Sequence, residues 1–449
     1  MKPSTRLRQP LIACALALAC GLPAHAAPLG LLQAYEAARQ HDPQLRAAQA
    51  ERDASREQAV LGRAQLLPSV SAVYTNSLNH TDVTDAAGAT GTRQYRSTSA
   101  SVQLRQPLYH PEGLAAWRQG QALSAAGEAQ FTARQQDLMV RLFDTYAAVL
   151  YAQEQVALAQ SQLDTLSQQQ WVNQRLLSGG EGTRTELLET VAKQQLAQAQ
   201  WIEAHDLLAH QRRQLSALTG LPTEEVPPLA EPVAPANAPE RTLDEWLAIA
   251  QTHNPLLHSL RLQLQATGED LRRADSGHRP RLDLVASSGR STSDTVSTYR
   301  QSQQANTLGI QLNLPIYAGG AVSAVSRQAL ARQERAQAEL DARTADVRVE
   351  VERQHRLQLS SAQRIRALEQ AVASSQLLVE ATQKSVTGGV RTNLDVLNAR
   401  DQLVQARRDL TQARLAHLQA GLRLRLAAGV LGEDDLRATA GRFAAVTAP

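Results

Sequence analysis

The 449-residue chain has a formal net charge of +3, and aromatic residues make up only 3% of it, including three Phe. So few aromatic side chains argue against a conventional large globular core, and so small a net charge argues against a nucleic-acid partner. Both cysteines lie within the first 26 residues, so the remaining chain can form neither a disulfide nor a thiolate metal site.

The first predicted element is a secretory signal peptide over residues 1–26. It has a basic start, an apolar run over residues 11–22 and a small-residue cleavage pattern. Its removal takes away three positive charges and no acid, so the formal net charge of the remaining chain is zero. A lipid anchor would use Cys20, but Ala17 stands where the lipidation motif prefers Leu, and we expect export without an anchor. No later apolar run reaches the roughly 18 residues of a transmembrane helix.

The rest of the chain divides into two predicted repeats. They cover residues 27–220 and 242–432, a proline-rich linker covers 221–241, and a tail covers 433–449. In each repeat we predict a helix, a strand, a polar loop, a second strand, a long helix, a turn and a returning helix.

Two motifs recur at the same separation in the two repeats. The HDP motif at residues 41–43 matches the HNP motif at residues 253–255, and Pro68 matches Pro280, where the first helix of each repeat ends. Prolines in register across such a separation indicate internal duplication.

Alternating apolar and polar residues predict two strands in each repeat. We expect the four strands at about residues 68–80, 97–107, 280–288 and 305–315. Each has about 9 to 12 residues, the length that crosses a bilayer at a tilt. A membrane barrel needs about eight strands to close, and one chain has only four. Two copies of the chain would supply eight strands, and three copies would supply twelve. A soluble antiparallel sheet with two coiled-coil hairpins is the alternative that the pattern leaves open.

Long segments without proline predict the helices that follow the strands. The predicted ranges are 111–178 and 183–219 in the first repeat, and 319–387 and 393–431 in the second. The longer helix of each repeat would extend about 100 Å at 1.5 Å per residue. Both end at a double glycine, the expected helix C-cap, at Gly179 and Gly180 and at Gly388 and Gly389. The returning helices carry a seven-residue repeat that sets large residues opposite small ones, as in a coiled coil.

The sequence contains no motif typical of an enzyme. Its eleven histidines are scattered, and there is no HExxH, GxSxG, phosphate-loop or dinucleotide-binding motif. We therefore expect no catalytic residue, no cofactor and no metal site.

Several features together resemble the TolC family of outer-membrane exit ducts. They are the two helix–strand–strand–helix halves, the dipeptides Asp42-Pro43 and Asn254-Pro255, LPSV after the first helix, the LNLPIYAGG junction, and GGVRTNLDVLNAR from Gly388 to Arg400. The resemblance covers essentially the whole mature chain. It implies an α+β membrane protein, a homotrimer whose four transmembrane strands per chain form one twelve-stranded barrel in the outer membrane. Long coiled-coil helices would continue the barrel as a tunnel, or α-barrel, through the periplasm.

The resemblance also implies partners. An inner-membrane pump of the ABC or RND type and a periplasmic adaptor (membrane fusion) protein would dock at the helical turns and pass cargo directly outside. Without a lipid-bearing cysteine, the chain looks more like the type I protein-secretion branch than the multidrug efflux branch, which is the alternative. Alternatives of another class are a periplasmic structural coiled-coil protein and an adaptor.

In the family, polar links and rings of acids near the helical turns narrow the periplasmic entrance. By resemblance, Arg391 matches a linking arginine and Asp395 an acidic ring, whereas Asn398 stands where some members have a second acid. Glu186 and Glu189 are the equivalent carboxylates of the first half.

These residues also have simpler structural explanations. Glu186 belongs to a capping-box motif that begins at Thr183, and Asp395 belongs to a related motif that begins at Thr392, so both acids could serve only to start helices. Arg391 could be a solvated turn residue.

Polar strand positions are predicted to line the wet interior of the barrel. They are Ser101, Gln103, Arg105, Gln311 and Asn313.

Overall fold

The computed structural model describes residues 28–84, 86–230, 241–293, 301–388 and 390–444. The predicted signal peptide, residues 231–240 of the predicted linker, Gly389 and the last five residues of the predicted tail lie outside these residues.

The elements follow the order predicted for two repeats. The first repeat contains α1 (Leu31–His41), α2 (Pro43–Ala64), β1 (Ser69–Thr84), β2 (Thr90–Tyr109), α3 (Pro111–Ser178) and α4 (Arg184–Thr219). The second contains α5 (Leu243–His253), α6 (Pro255–Asp275), β3 (Arg281–Ser293), β4 (Gln301–Asn313), α7 (Ala321–Thr387) and α8 (Asn393–Ala428), followed by α9 (Glu433–Ala440). None of the described helices is long and apolar enough to cross a membrane.

The duplicated motifs form the same joint in both repeats. The Asp42 carboxylate accepts the backbone N–H of Leu45 at 3.1 Å, and the Asn254 side-chain oxygen accepts that of Leu257 at 3.1 Å. In each case a proline occupies the first position of the new helix, where its missing N–H costs nothing. The motif therefore ends one helix and starts the next.

The four strands form one antiparallel sheet in the order β1-β2-β3-β4. With 16, 20, 13 and 13 residues, they are longer than predicted. The prediction stopped where the apolar alternation ends, but backbone pairing continues through polar residues such as Asp82, which lies opposite Thr92. Pairing needs only backbone N–H and C=O groups, so Ser- and Thr-rich segments extend the sheet. At the other end β4 stops at Asn313, before the predicted limit, because Pro315 has no N–H to donate.

The helix bounds differ from the prediction at two places. Gly319 and Gly320 have φ of +61° and +83°, so α7 begins only at Ala321. Gly429, with φ of +76°, ends α8 at Ala428, short of the predicted 431. The segment predicted as a tail opens with α9. Left-handed glycine is the usual way to end a helix.

The largest core lies around the middle of α3. Phe143 and Tyr146 are fully buried there, and the Tyr146 hydroxyl donates to the Leu29 carbonyl at 3.0 Å. Phe443 packs edge-on against Tyr146, with 5.3 Å between ring centroids. The N-terminal helix and the C-terminal segment are thereby fixed to the same section of α3.

Candidate functional site

The polar residues predicted to line a barrel lumen lie on one face of the sheet. In the antiparallel register Arg105 stands opposite Val285, and Asp283, two residues away on β3, stands opposite Gln311. Because residues two apart share a face, the polar rows of β2 and β4 coincide. The residues of this face are Ser101, Gln103, Arg105, Gln311 and Asn313.

The opposite face of the sheet is apolar and exposed. Six of its large side chains are each between 50% and 75% exposed in the single chain. They are Val70, Tyr74, Val102, Leu308, Ile310 and Leu312. A sheet with one polar and one exposed apolar face is the arrangement of a membrane barrel, with lipid on the apolar side.

At the helix end of the polar face, Arg105 binds a buried carboxylate. Its Nε and Nη2 donate to Asp283 Oδ2 at 3.0 and 2.5 Å, and Arg281 Nε donates to Asp283 Oδ1 at 3.1 Å. The Asp283 side chain is 1% exposed, and that of Arg105 is 40% exposed. Arg105 therefore neutralises the buried charge of Asp283, and only part of its side chain is exposed on the polar face. Sequence analysis missed Asp283, although an acid between two leucines was a visible signal.

The turns after the long helices contain the predicted glycines. Gly179 and Gly388 end α3 and α7, each with φ of −82°, which any residue can adopt. The left-handed conformation falls on Gly180, with φ of +78°. Gly389, its counterpart in the second turn, lies outside the described residues.

Glu186 and Asp395 bind backbone groups at the starts of α4 and α8. The Glu186 carboxylate accepts the N–H of Thr183 at 3.2 Å, and the Thr183 hydroxyl accepts the N–H of Glu186 at 3.2 Å, which completes a capping box. Asp395 accepts the N–H and the hydroxyl of Thr392 at 3.0 and 2.9 Å. These bonds, together with the nearby charge of Arg391, hold the pKa of Asp395 below its ordinary value. Capping is thus a role that both acids perform.

The other predicted entrance residues are exposed near the same turns. Within the described residues, Glu189 and Arg391 form no hydrogen bond or ion pair. The side-chain oxygen of Asn398 accepts a hydrogen bond from Lys193 Nζ at 2.8 Å.

Lys193 links the two repeats near the turns. Its ammonium lies 4.0 Å from Asp401 Oδ2, and Gln162 Nε2 donates to Asp401 Oδ1 at 2.8 Å. The link ties α3 and α4 to α8. Beside it lies a buried apolar cluster of Leu166, Ala197 and Leu397. Sequence analysis missed this link, although Lys193 is one of only two lysines that follow the signal peptide in a chain that otherwise uses arginine.

We predict that Asp401→Asn raises the stability of the protein at neutral pH. Burial raises the pKa of Asp401 more than Lys193 and Gln162 lower it. The folded protein therefore holds this proton more tightly than the unfolded chain, in which an Asp has a pKa of about 3.9. Stability then decreases as pH rises through the raised pKa, and the whole cost is present at pH 7.

The measurement is the midpoint of thermal unfolding of the purified protein by circular dichroism. Asp401→Asn should raise the midpoint at pH 7 and leave it unchanged at about pH 3, where both side chains are neutral. Asp206, which is exposed on α4 and forms no hydrogen bond or ion pair within the described residues, supplies the control substitution, Asp206→Asn. A midpoint that falls at pH 7 would mean that the attraction of Lys193 outweighs burial.

The described residues contain no group of three or more His, Cys, Asp or Glu side chains that could hold a metal ion. His417 on α8 is buried against α7, with its Nδ1 2.7 Å from the Ser361 hydroxyl. Burial lowers the pKa of His417, so its ring is a neutral core group.

The two repeats match a single family model in succession. The model, described as outer membrane efflux protein, matches residues 34–221 and 246–430. The fold is similar to that of the outer membrane protein VceC from Vibrio cholerae, with a TM-score of 0.77, 18% identity, and coverage of 89% of this chain and 96% of that one. The predicted combination of four strands and long helices is thereby confirmed.

Two relatives are similar along nearly their whole length. The proteases secretion protein PrtF of Dickeya chrysanthemi is 39% identical over 421 residues, which are 92% of this chain and 91% of that protein. The alkaline protease secretion protein AprF of Pseudomonas aeruginosa is 38% identical over 431 residues, which are 94% of this chain and 89% of that protein. The resemblance to the TolC group is confirmed, and the chain belongs to the outer membrane efflux protein family.

Proposed function

We propose that this protein is the outer-membrane duct of a type I protein-secretion system, through which an inner-membrane pump and a periplasmic adaptor export cargo directly. The observation that carries the proposal is the sheet with one polar and one exposed apolar face, followed by helices of 68 and 67 residues. Helices of this length extend about 100 Å below the membrane. Protein secretion is favoured over multidrug efflux because both relatives described above are named for protease secretion.

The edges of the sheet call for further copies of the chain, and membership of the TolC group supports three of them. Among the described strands, β1 and β4 each pair on one side only, so each leaves a row of backbone groups unpaired. Such groups cost several kcal/mol each in hydrocarbon, and a membrane sheet therefore closes on itself. Three copies supply twelve strands, enough for a barrel that holds an aqueous channel.

The duct itself performs no catalysis. Energy for transport comes from the inner-membrane pump, of the ABC type in a type I system, and the adaptor connects the pump to the helical turns. The polar faces of the strands keep the exit wet, so that cargo passes without a lipid barrier.

The proposal is tested by comparing culture-supernatant proteins from wild-type, gene-deleted and complemented cells. Loss of one or a few secreted proteins in the deletion strain, restored by complementation, is the expected result. An unchanged supernatant in cells newly sensitive to dyes or detergents would assign the duct to efflux instead. Recovery of the protein in the soluble periplasmic fraction would favour a structural coiled-coil protein and contradict both.

We further propose that the residues at the turns form the periplasmic entrance of the tunnel. Arg391, Asp395, Glu186 and Glu189 would be repeated around the axis of a trimer, and Asn398 would help to hold the closed state through Lys193. The exposed acids favour cations at the entrance, because rings of carboxylates attract positive charge.

Glu189→Gln is the sharpest test of this entrance, because Glu189 is exposed and its carboxylate binds nothing in the described chain. We expect the K⁺ over Cl⁻ permeability ratio in planar bilayers to fall by about twofold, since the change removes one charge from each copy. Thermal unfolding should not change. Glu36→Gln, at an exposed position in α1 far from the turns, is the matched control. An unchanged ratio would place Glu189 outside the ion path.

A further inference from the structure

A cavity of about 530 Å³ lies where the two central strands meet the helices. One wall is the end of β2 with the start of α3, and the other is the end of α6 with the residues before β3. Further copies of the chain would add their strands at β1 and β4, the edges of the sheet. The cavity lies under β2 and β3, away from those edges.

Two arginines in the cavity wall have no charged partner. Arg118 on α3 and Arg279 before β3 are both exposed, and within the described residues neither side chain forms a hydrogen bond or an ion pair. Arg272, a third arginine in the wall, is already paired with Glu269, at 2.5 Å between Nη1 and Oε1. The two unpaired guanidinium groups can therefore receive an anionic ligand such as a phosphate.

The same cavity contains a buried acid with one unsatisfied oxygen. The Glu269 side chain is 8% exposed, and its Oε2 has no hydrogen-bond partner among the described residues. A buried carboxylate oxygen without a donor is costly, so a donor from a ligand would relieve it. A simple anion would be repelled by Glu269, and a simple cation would be repelled by the arginines. A ligand with both a phosphate and an ammonium group could bind the two arginines with its phosphate and Glu269 with its ammonium group.

Another part of the wall is apolar, beside the polar side chains of His110, Asp275 and Ser276, and Asp275 already accepts a hydrogen bond from the Ser326 hydroxyl at 2.6 Å. Leu66, Leu108 and Leu114 line it together with Tyr109. Tyr109 stands opposite Leu282 in the sheet, and Leu282 stands opposite Leu312 on the exposed apolar face. The apolar wall is thus continuous with the face that contacts lipid, at the end of the strands where the headgroups of the periplasmic leaflet lie.

We propose that this cavity binds a phospholipid with a phosphoethanolamine headgroup. Its phosphate contacts Arg118 and Arg279, its ammonium donates to Glu269 Oε2, and its acyl chains follow Leu108 and Tyr109 toward the apolar face. The lipid would fasten the junction between barrel and helices to the membrane. The proposal uses the outer-membrane location of the family and does not depend on the cargo, so the secretion assay and a lipid-binding assay can fail independently.

The test is native mass spectrometry of the full-length protein purified in detergent, with added palmitoyl-oleoyl phosphatidylethanolamine or phosphatidylglycerol. The double variant Arg118→Ala/Arg279→Ala should retain at least about tenfold less phosphatidylethanolamine, because it loses two charge-assisted contacts. The matched control is Arg364→Ala/Arg366→Ala, which removes two exposed arginines from the middle of α7. Equal retention by the double variant and the control would overturn the site.

Glu269→Gln tests recognition of the ammonium group. The wild-type protein should prefer phosphatidylethanolamine to phosphatidylglycerol, and the variant should lose that preference while still binding the phosphate. Arg118→Gln, a single change at an exposed position, keeps the proposal testable if the double variant does not assemble, and it should reduce retention by a smaller factor. Equal binding of the two lipids by the wild-type protein would overturn the role of Glu269.

A final comparison separates a lipid from a soluble ligand. Inorganic phosphate and free phosphoethanolamine are added in competition with bound phosphatidylethanolamine. We expect neither to displace it at millimolar concentration, because neither fills the apolar wall. If free phosphoethanolamine displaced the bound phosphatidylethanolamine as effectively as added phosphatidylethanolamine does, the assignment to a lipid would be overturned.

Discussion

Gly429→Ala is expected to destabilise the protein by about 3 kcal/mol, since the substitution combines a backbone penalty with overpacking. Gly429 has φ of +76°, a conformation that costs an L-residue free energy. A Cβ atom would also lie 2.6 Å from the His253 carbonyl oxygen and close to the backbone of Asn254. Backbone at a helix joint cannot move aside as a side chain can, so we expect a large loss.

Two other glycines separate the two contributions. Gly320 has φ of +83° and open space around it, so Gly320→Ala should cost only the backbone penalty, about 1 kcal/mol. Gly220, the equivalent of Gly429 in the first repeat, faces the ring of His41, which can move, so Gly220→Ala should be intermediate. The measurement is the midpoint of thermal unfolding at one fixed scan rate, because unfolding of such an assembly is governed by rates. If all three variants unfold alike, the close approach at Gly429 carries no energy.

The features of this fold that could be predicted from the sequence are those that depend on residues close together in the chain. The repeat was readable because Pro68 and Pro280, like the HDP and HNP motifs, end or start helices by rules that act within a few residues. The polar face was readable for the same reason. Side chains alternate strictly along a strand, so Ser101, Gln103 and Arg105 had to share a face.

The contacts that sequence analysis missed are all long-range. Asp283 contacts Arg105 across 178 positions, and Asp401 contacts Gln162 across 239. The identity of such partners depends on how strands register and helices pack, and no periodicity within one segment records it. The lipid cavity is of the same kind, because Arg118 and Glu269 come from different repeats. The strand lengths were underestimated because apolar alternation marks the buried or lipid-facing part of a strand and not the end of backbone pairing.

Asp42→Ala is expected to cost about 3 kcal/mol, through loss of the α2 cap and of a buried ion pair. Asp42 is 2% exposed, and its Oδ2 accepts both the Leu45 N–H at 3.1 Å and Arg141 Nη2 at 2.7 Å. Arg141 keeps a second partner, Asp137, at 3.2 Å, which limits the loss. Asp42→Asn keeps the cap and loses only the charge, so it should cost about 1 kcal/mol.

The second repeat provides the reciprocal test, because the same joint is built there without a charge. Asn254 accepts the Leu257 N–H at 3.1 Å and donates from its Nδ2 to the Ala427 carbonyl at 2.9 Å. Asn254→Asp would place a carboxylate against that carbonyl oxygen, and no described cation pairs with it, so the change should cost more than Asp42→Asn by about 2 kcal/mol. Thermal unfolding of the two exchange variants, measured side by side, decides the matter. Equal stability of Asn254→Asp and Asp42→Asn would contradict this argument. The Ala427 carbonyl and Arg141 would then not determine which residue each joint uses, and duplication alone would explain the similarity of the two motifs.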